Sequence, residues 1–241
     1  MSKTAVVTGA AGGMGLATVE RLARDGFRIA AFDINESGLA KAAELAPGSV
    51  STFHVDLTDE ARVRSAVAQV QEKLGPVYAV VNLAGWTATQ KFVDEGSNYW
   101  RRIIDINLLS ALFVTHACLP QMIERKAGKI VTVTSDAGKV GQSGEAVYAA
   151  TKGGLISWSK SLARELARYN INVNCTAPGP TDTPLEADQD PEIVARILKA
   201  IPFRRMARPE EQAAAIAFLC SEDANYITGQ TLSVSGGLTM V

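Results

Sequence analysis

In the stretch "EAVYAATKGG", Tyr148 and Lys152 stand four residues apart with only small residues between them. A free phenol titrates near 10 and is a poor base at neutral pH, so a tyrosine that exchanges protons needs a cation beside it. Four residues along a helix bring two side chains onto one face, where a unit charge at ~5 Å in an effective dielectric of ~20 contributes about 3 kcal/mol. That is roughly two pKa units, enough to bring the phenol toward ~8, where proton exchange with an alcohol becomes practical. Gly153 and Gly154 follow the pair. Each costs a helix up to about 1 kcal/mol relative to alanine, which implies that another backbone or a ligand approaches closely. Tyrosine and lysine at this spacing are common in helices, so the meaning of the pair rests on what surrounds it.

A second group of residues could hold a charged ligand. "TGAAGGMG" follows the first apolar run and carries Gly9, Gly13, Met14 and Gly15. Glycines here let the backbone turn tightly and approach a pyrophosphate, whose charge is held by amides at a helix N-terminus. Asp33 ends the second apolar run, 18 residues beyond Gly15 (33 − 15), close to the spacing at which a carboxylate accepts from the adenosine ribose hydroxyls. A 2′-phosphate would meet Asp33 as a second anion, and no Arg or Lys lies in the turn or directly after Asp33 to offset the repulsion. The expected cofactor is therefore NAD(H) rather than NADP(H).

The elements that position these groups are legible in the order of the chain. Seven short β-branched runs, "TAVVTG", "RIAAFDI", "STFHVDL", "VYAVVNLAG", "GKIVTVTS", "INVNCTAP" and "TLSVSGG", alternate with longer segments of helical periodicity. Continuous apolar runs indicate strands covered on both faces, as a parallel sheet with crossover helices requires. The expected fold is a single α/β domain over residues 1–241, a doubly wound Rossmann fold with a seven-stranded, mostly parallel sheet and helices on both faces. In "LTDEARVRSAVAQVQEKLGP", Thr58 can cap a helix, Asp59 and Glu60 suit its N-terminal dipole end, and Gly75-Pro76 stops it. Residues 183–209 form the one long irregular stretch and read as a flap.

Composition narrows the function classes. Of the 241 residues 47% are hydrophobic and 20% charged, and the formal charge is −1, so nothing steers the molecule toward nucleic acid or an anionic membrane. Cys118, Cys175 and Cys220 are odd in number and widely spaced, which argues against a disulfide framework or a zinc site and fits a reducing cytoplasm. The N-terminal "MSKTAVVTG" has too short an apolar run for a signal peptide, and no later segment approaches a membrane span. His54 and His116 stand alone, without metal-ligand company.

"TGAAGGMG", Asp56 in "VDLT", "NLAG", Asn107 in "DINLLSALF", Ser135 in "VTVTS", "YAATK", "PGPTDT" and "ITGQTLSVSGG" occur in the order seen in the short-chain dehydrogenase/reductase family, and the resemblance covers essentially the whole chain. It implies that Tyr148 is the acid/base, that Lys152 lowers its pKa and holds the nicotinamide ribose, that Ser135 hydrogen-bonds the substrate oxygen, and that Asn107 holds a proton-relaying water. It also implies cofactor contacts at Asp56 and Leu57 for the adenine, at Asn82, Ala84 and Gly85 beside the nicotinamide ribose, and at Pro178, Gly179, Thr181 and Thr183 near the nicotinamide amide. One departure is Leu83, which stands where the family's N-N-A-G has an amide and puts a sheet-bracing hydrogen bond in doubt. A homotetramer is implied as well, with the helices around 101–125 and 148–169 as its interface. In the second of these Leu155, Trp158, Leu162 and Leu166 recur at helical spacing.

Substrate choice should come from Trp86, the loop with Gln142 and Glu145, and the flap, because these surround the expected reaction centre at the C-terminal ends of the strands. Arg204 and Arg205 could meet a phosphate of coenzyme A. "SDAGKVGQSGEAVYAATKGG" and "VSGGLTM" are most similar, within the family, to 2-hydroxycyclohexanecarboxyl-CoA dehydrogenases and neighbouring NAD-linked secondary-alcohol dehydrogenases. The expectation is an NAD-dependent enzyme interconverting a secondary alcohol and a ketone, cyclic or acyl-CoA-linked. Its rivals are a 3-oxoacyl-thioester reductase using NADPH and a non-catalytic NAD-binding subunit.

Overall fold

The structure, a computed structural model, describes residues 3–183 and 191–241. The seven apolar runs form the strands β1 (Thr4–Thr8), β2 (Arg28–Asp33), β3 (Val50–His54), β4 (Val77–Asn82), β5 (Gly128–Val133), β6 (Ile171–Pro178) and β7 (Thr231–Val234). They make one sheet in the order β3-β2-β1-β4-β5-β6-β7, with every pairing parallel. Parallel neighbours need crossovers, which are supplied by α1 (Gly13–Arg24), α2 (Glu36–Leu45), α3 (Glu60–Leu74), α4 (Ser97–Ile104), α5 (Ser110–Arg125), α6 (Ala137–Val140), α7 (Ala146–Leu166), α8 (Pro191–Ala200) and α9 (Pro209–Cys220).

Alternate strand residues feed two cores, because successive side chains leave a strand on opposite faces. Val7, Val81 and Val131 pack with Val19 and Leu22 of α1 and with Ile216 and Leu219 of α9. Val6, Val80 and Ile130 pack with Val63 of α3, Val114 and Met122 of α5, and Leu162 and Leu166 of α7. Each fully buried Val, Leu or Ile contributes about 1.5–3 kcal/mol of transfer free energy, so strands buried on both sides are the economical use of such runs. Strand order reverses between β1 and β4, and this is where a crevice opens at the C-terminal ends of the strands.

The structure corrects three local expectations. The α3 helix is capped by Asp59 rather than Thr58: its carboxylate accepts from the amides of Ala61 and Arg62, while Thr58 bonds to Asp56. A carboxylate one residue nearer the helix both caps and meets the dipole, so it wins the position. The helical run Ser97–Arg125 is long and apolar enough by length and composition to cross a membrane, contrary to the expectation that no segment approaches a span. Here its apolar side lies on the sheet through Ala111, Val114, Cys118 and Met122, and the buried Gln121 accepts from the Val77 amide. Leu155, Leu162 and Leu166 are core residues of the monomer, and Trp158 is packed against the same core, so burial within the chain accounts for part of their helical spacing, as expected. Finally, the stretch 183–209 is not irregular throughout, since it contains α8; residues 184–190 lie outside the described residues. Replacing Asp59 by alanine should lower the unfolding free energy by about 1 kcal/mol, measured as a shift in the urea midpoint at unchanged slope, and Thr58→Ala should cost less.

Candidate active site

The glycine turn packs main chain closely against main chain. A side-chain carbon on Gly15 would lie 2.0 Å from the Gly9 carbonyl oxygen, and one on Gly9, whose φ is +65°, would lie 2.9 Å from the Ala84 backbone. The following helix starts bare: Gly12 is its N-cap, no side chain caps it, and no acidic residue stands in its first turn. The first-turn amides of Gly13, Met14 and Gly15 have no intrahelical acceptor, and no side chain competes for them, which suits an anion. Asp33 is fixed at the end of β2 by the amides of Ala11 and Asn35, at 3.0 and 2.9 Å, one to each carboxylate oxygen. Each oxygen keeps a lone pair for a ribose hydroxyl.

From this turn a cleft of about 680 Å³ runs along the strand ends. Gly9, Asp33, Asp56, Leu57, Ala84 and Gly85 all line it, so these expected cofactor contacts are brought together. Asp56 is held below the usual carboxylate range by hydrogen bonds from the Thr58 hydroxyl and amide. Asn82 is placed differently. Its amide is buried inside the sheet and donates to Thr115 and Thr132, away from the cleft. The main chain at Leu83 is held by a residue that sequence reasoning passed over: the Thr8 hydroxyl oxygen accepts from the amides of both Leu83 and Ala84, and the Leu83 side chain is core. Thr8 had read only as the end of a strand.

Beyond Gly85 the reaction centre is assembled from four elements. At the start of α7, the Lys152 ammonium lies 5.6 Å from the centroid of the Tyr148 ring and donates to the Val133 carbonyl at 3.0 Å. Asn107 sits in a π-helical turn, Asp105–Leu109, between α4 and α5. Its side chain accepts from the Trp86 amide and donates to the Trp86 and Ile103 carbonyls, so it fixes the loop that follows β4. A side-chain carbon on Gly85 would lie 3.0 Å from Asn107 Oδ1 and 3.3 Å from Lys152 Nζ, so only glycine lets these groups converge. Ser135 follows β5; its hydroxyl oxygen accepts from the Ala137 amide and so keeps its proton to donate elsewhere. The two glycines after Lys152 differ: Gly153 faces Gly138 of α6, whose carbonyl oxygen would be 3.0 Å from an added carbon, whereas Gly154 has only an ordinary contact with Leu108.

The floor and walls come from neighbouring strand ends. Pro178 accepts from the Asp136 amide, and Gly179 lies so close to Ser235 that a side-chain carbon there would clash at 2.7 Å. Thr181 turns its hydroxyl to Gly179 and Gln212, and Thr183 is half-buried where the described segment stops. A chain of hydrogen bonds that the sequence did not reveal, from Lys139 to Ser233 to the buried Asp136, ties α6 to β7 directly behind Ser135. The loops after β4 and before α7 are sewn together by Thr87 to Glu145 and by the Gln90 amide to the Gly144 carbonyl. Glu145 is therefore a buried wall residue, while Gln142 is exposed. Trp86 packs edge-on against Tyr99 and carries the Arg102 guanidinium on its ring at 4.0 Å. Arg204 and Arg205 do not reach toward a ligand: Arg204 donates to the Lys199 carbonyl, and Arg205 forks onto Glu211, whose carboxyl it holds down to about 2. Among the described residues no group of His, Cys, Asp or Glu could hold a metal.

Burial pushes the Lys152 ammonium down to about 8 from its ordinary 10.5, against a small opposing pull from Cys175. At neutral pH it is still mostly charged. Between pH 8 and 10.5 the unfolded chain holds this proton and the folded chain does not, so folding gains as pH rises through that window, and the full cost is present below it. The unfolding free energy of the wild type minus that of Lys152→Met should rise by about 2–3 kcal/mol from pH 8 to 10.5 in urea titrations. A flat difference would mean that the ammonium is solvated.

A family model described as "Enoyl-(Acyl carrier protein) reductase" matches residues 9–239. The 3-oxoacyl-[acyl-carrier-protein] reductase FabG of Thermotoga maritima is 37% identical over 99% of this chain and 98% of its own. An acetoacetyl-CoA reductase of Acinetobacter sp. is 39% identical over 99% of this chain and 98% of its own. The crystal structure of a 3-oxoacyl-[acyl-carrier protein] reductase from Brucella melitensis superposes with a TM-score of 0.94 at 32% identity, covering 99% of this chain and 92% of that one. These names are ketoacyl reductases and do not specifically include the 2-hydroxycyclohexanecarboxyl-CoA dehydrogenases to which the loop before Tyr148 is compared. With the glycine cradle, the Tyr148–Lys152 pair and the parallel sheet in one frame, the chain is an oxidoreductase and belongs to the short-chain dehydrogenase/reductase family.

Proposed function

We propose that this chain interconverts a 3-oxoacyl thioester and its 3-hydroxy counterpart, with NAD(H) as the preferred cofactor. The observation that carries the reading is the buried Lys152 ammonium beside the Tyr148 ring at the end of a cleft lined by Gly9, Asp33, Asp56 and Gly85. The choice of a thioester over a simple cyclic alcohol is supported by the names of the relatives, which share nearly their full length with this chain. When bound, the nicotinamide supplies or takes up the hydride. The chain's own groups handle the oxygen. Ser135 donates a hydrogen bond to the carbonyl oxygen, where negative charge develops, and Tyr148 delivers the proton that completes the hydroxyl. Lys152 stabilises the phenolate left behind, and a proton taken up from solvent returns it to the phenol. Glu145 and the sutured loops after β4 and before α7 bound the space open to the acyl part.

Asp33 supports NAD(H) over NADPH, because both of its oxygens are pinned by backbone amides and cannot swing away from a 2′-phosphate. Half-buried Leu109 of the π turn, Phe113 on α5 and Ile156 on α7 leave apolar surface that suits a homotetramer, in a reducing cytoplasm; light scattering in solution reads the mass directly.

Tyr148→Phe should lower turnover of acetoacetyl-CoA by at least about 10³-fold while dinucleotide affinity stays within about threefold, measured by nicotinamide absorbance and by calorimetry. A panel including 2-hydroxycyclohexanecarboxyl-CoA and plain cyclic ketones ranks the substrates, and a higher kcat/KM for the cyclic compounds would displace the 3-oxoacyl reading. Asp33→Ser should raise relative use of NADPH about tenfold or more, and an unchanged cofactor ratio would remove the assigned role of Asp33.

A further inference from the structure

The dinucleotide cleft has an uneven charge lining. Three carboxylates face it, Asp33, Asp56 and Asp105, against two cations, Arg101 and Arg102. A dinucleotide brings two further negative charges on its pyrophosphate, and the glycine turn offers only backbone amides and no basic side chain to meet them. The two arginines stand on α4, and Asn98, Arg101 and Arg102 of α4 with Asp105 and Ile106 of the following π turn recur at helical spacing and present one stripe to the cleft. Neither is in an ion pair among the described residues, although Asp105 lies one turn away on the same stripe. Arg102 is also oriented: its guanidinium lies 4.0 Å from the centre of the Trp86 ring, and Trp86 is itself held by Tyr99 edge-on and by Asn107 through its backbone. A planar fork stacked on an aromatic face has already lost most of its rotamer freedom and retains its donors along the edge.

We infer that Arg102, laid on Trp86 and seconded by Arg101, is a cofactor-binding cation that recognises the pyrophosphate of the dinucleotide from the α4 side of the cleft. This rests on the dinucleotide reading of the cleft and gives Trp86 a different task from the one its type suggested. Its ring face carries an arginine, so it positions a cofactor contact rather than presenting that face to a ring-bearing substrate. Through Asn107, which grips the Trp86 backbone, the platform is continuous with the reaction centre.

The test uses fragments that carry the pyrophosphate but no nicotinamide. ADP-ribose and adenosine are titrated calorimetrically into the full chain as wild type, Arg102→Leu, Arg102→Lys and Trp86→Leu. Arg102→Leu should weaken ADP-ribose about five- to tenfold, leave adenosine within about twofold, and flatten the salt dependence of ADP-ribose binding. Arg102→Lys, which keeps the charge, should recover part of the ADP-ribose loss, and Trp86→Leu should cost ADP-ribose about two- to threefold through the lost platform. Unchanged ADP-ribose affinity in Arg102→Leu overturns the inference, as does an equal loss for adenosine. Because neither ligand contains a reacting group, a chain that reduces no thioester can still satisfy this test, and one that fails it can still be a reductase. Absence of ADP-ribose binding by the wild type would overturn the inference and the dinucleotide reading together.

Discussion

Burying one ammonium sets the terms for everything around it. Lys152 is nearly inaccessible, and its charged form is disfavoured enough to bring it down to about 8. A charge in such a place persists only where acceptors and partners are fixed by the fold. The Val133 carbonyl provides one, the π face of Tyr148 another, and the rest of the site can be read as the scaffolding that brings these to the end of the cleft. The cost of burial and the use of the charge are two aspects of one arrangement. An ammonium screened by water would do little for a phenolate, since the interaction weakens several-fold as the local dielectric rises.

That scaffolding is a matter of strand ends. In a parallel sheet all C-terminal ends emerge on one side, so Gly9, Asp33, Asp56, Gly85, Ser135 and Gly179, far apart in sequence, arrive along one edge. Close approach is permitted by glycine at the positions where a single added carbon would strike backbone or a functional group: Gly15 against the Gly9 carbonyl, Gly85 against Asn107 and Lys152, Gly138 against the backbone of α7. Hydrogen bonds then fix the loops that carry the remaining side chains. Thr8 holds the exit of β4, Asn107 holds Trp86, and the Lys139–Ser233–Asp136 chain anchors the segment of Ser135. The π turn that carries Asn107 interrupts a long helix, a distortion that frees one position to reach sideways.

Such a site divides its labour between a rigid half and an adjustable half. The dinucleotide side is made of main chain and small residues on strand ends, which tolerate little variation. The other side is made of loop side chains, Glu145 and Thr87, which can change without disturbing the sheet. This is why the family follows from the fold and the motifs, while substrate is argued from the relatives and from loop chemistry.

The sequence by itself determined the strands, because β-branched runs buried on both faces leave no other reading, and it singled out Asn107, Ser135, Tyr148 and Lys152 through the order of whole motifs, which the spacing of Tyr148 and Lys152 alone does not carry. It also marked Asp33, since a strand-end acid after a glycine turn is a local signal. The tertiary structure alone decided how Arg205, Trp86 and Leu162 are used, because each choice depends on a partner remote in the chain or across a turn: Glu211 takes up Arg205, Arg102 occupies the Trp86 ring, and the sheet buries Leu162. It likewise decided that Asp59 rather than Thr58 caps α3, a contest between neighbours settled by backbone direction at one residue. Periodicity reports which residues can be buried or can meet; which of them do is fixed only when the sheet brings distant segments within a few ångströms.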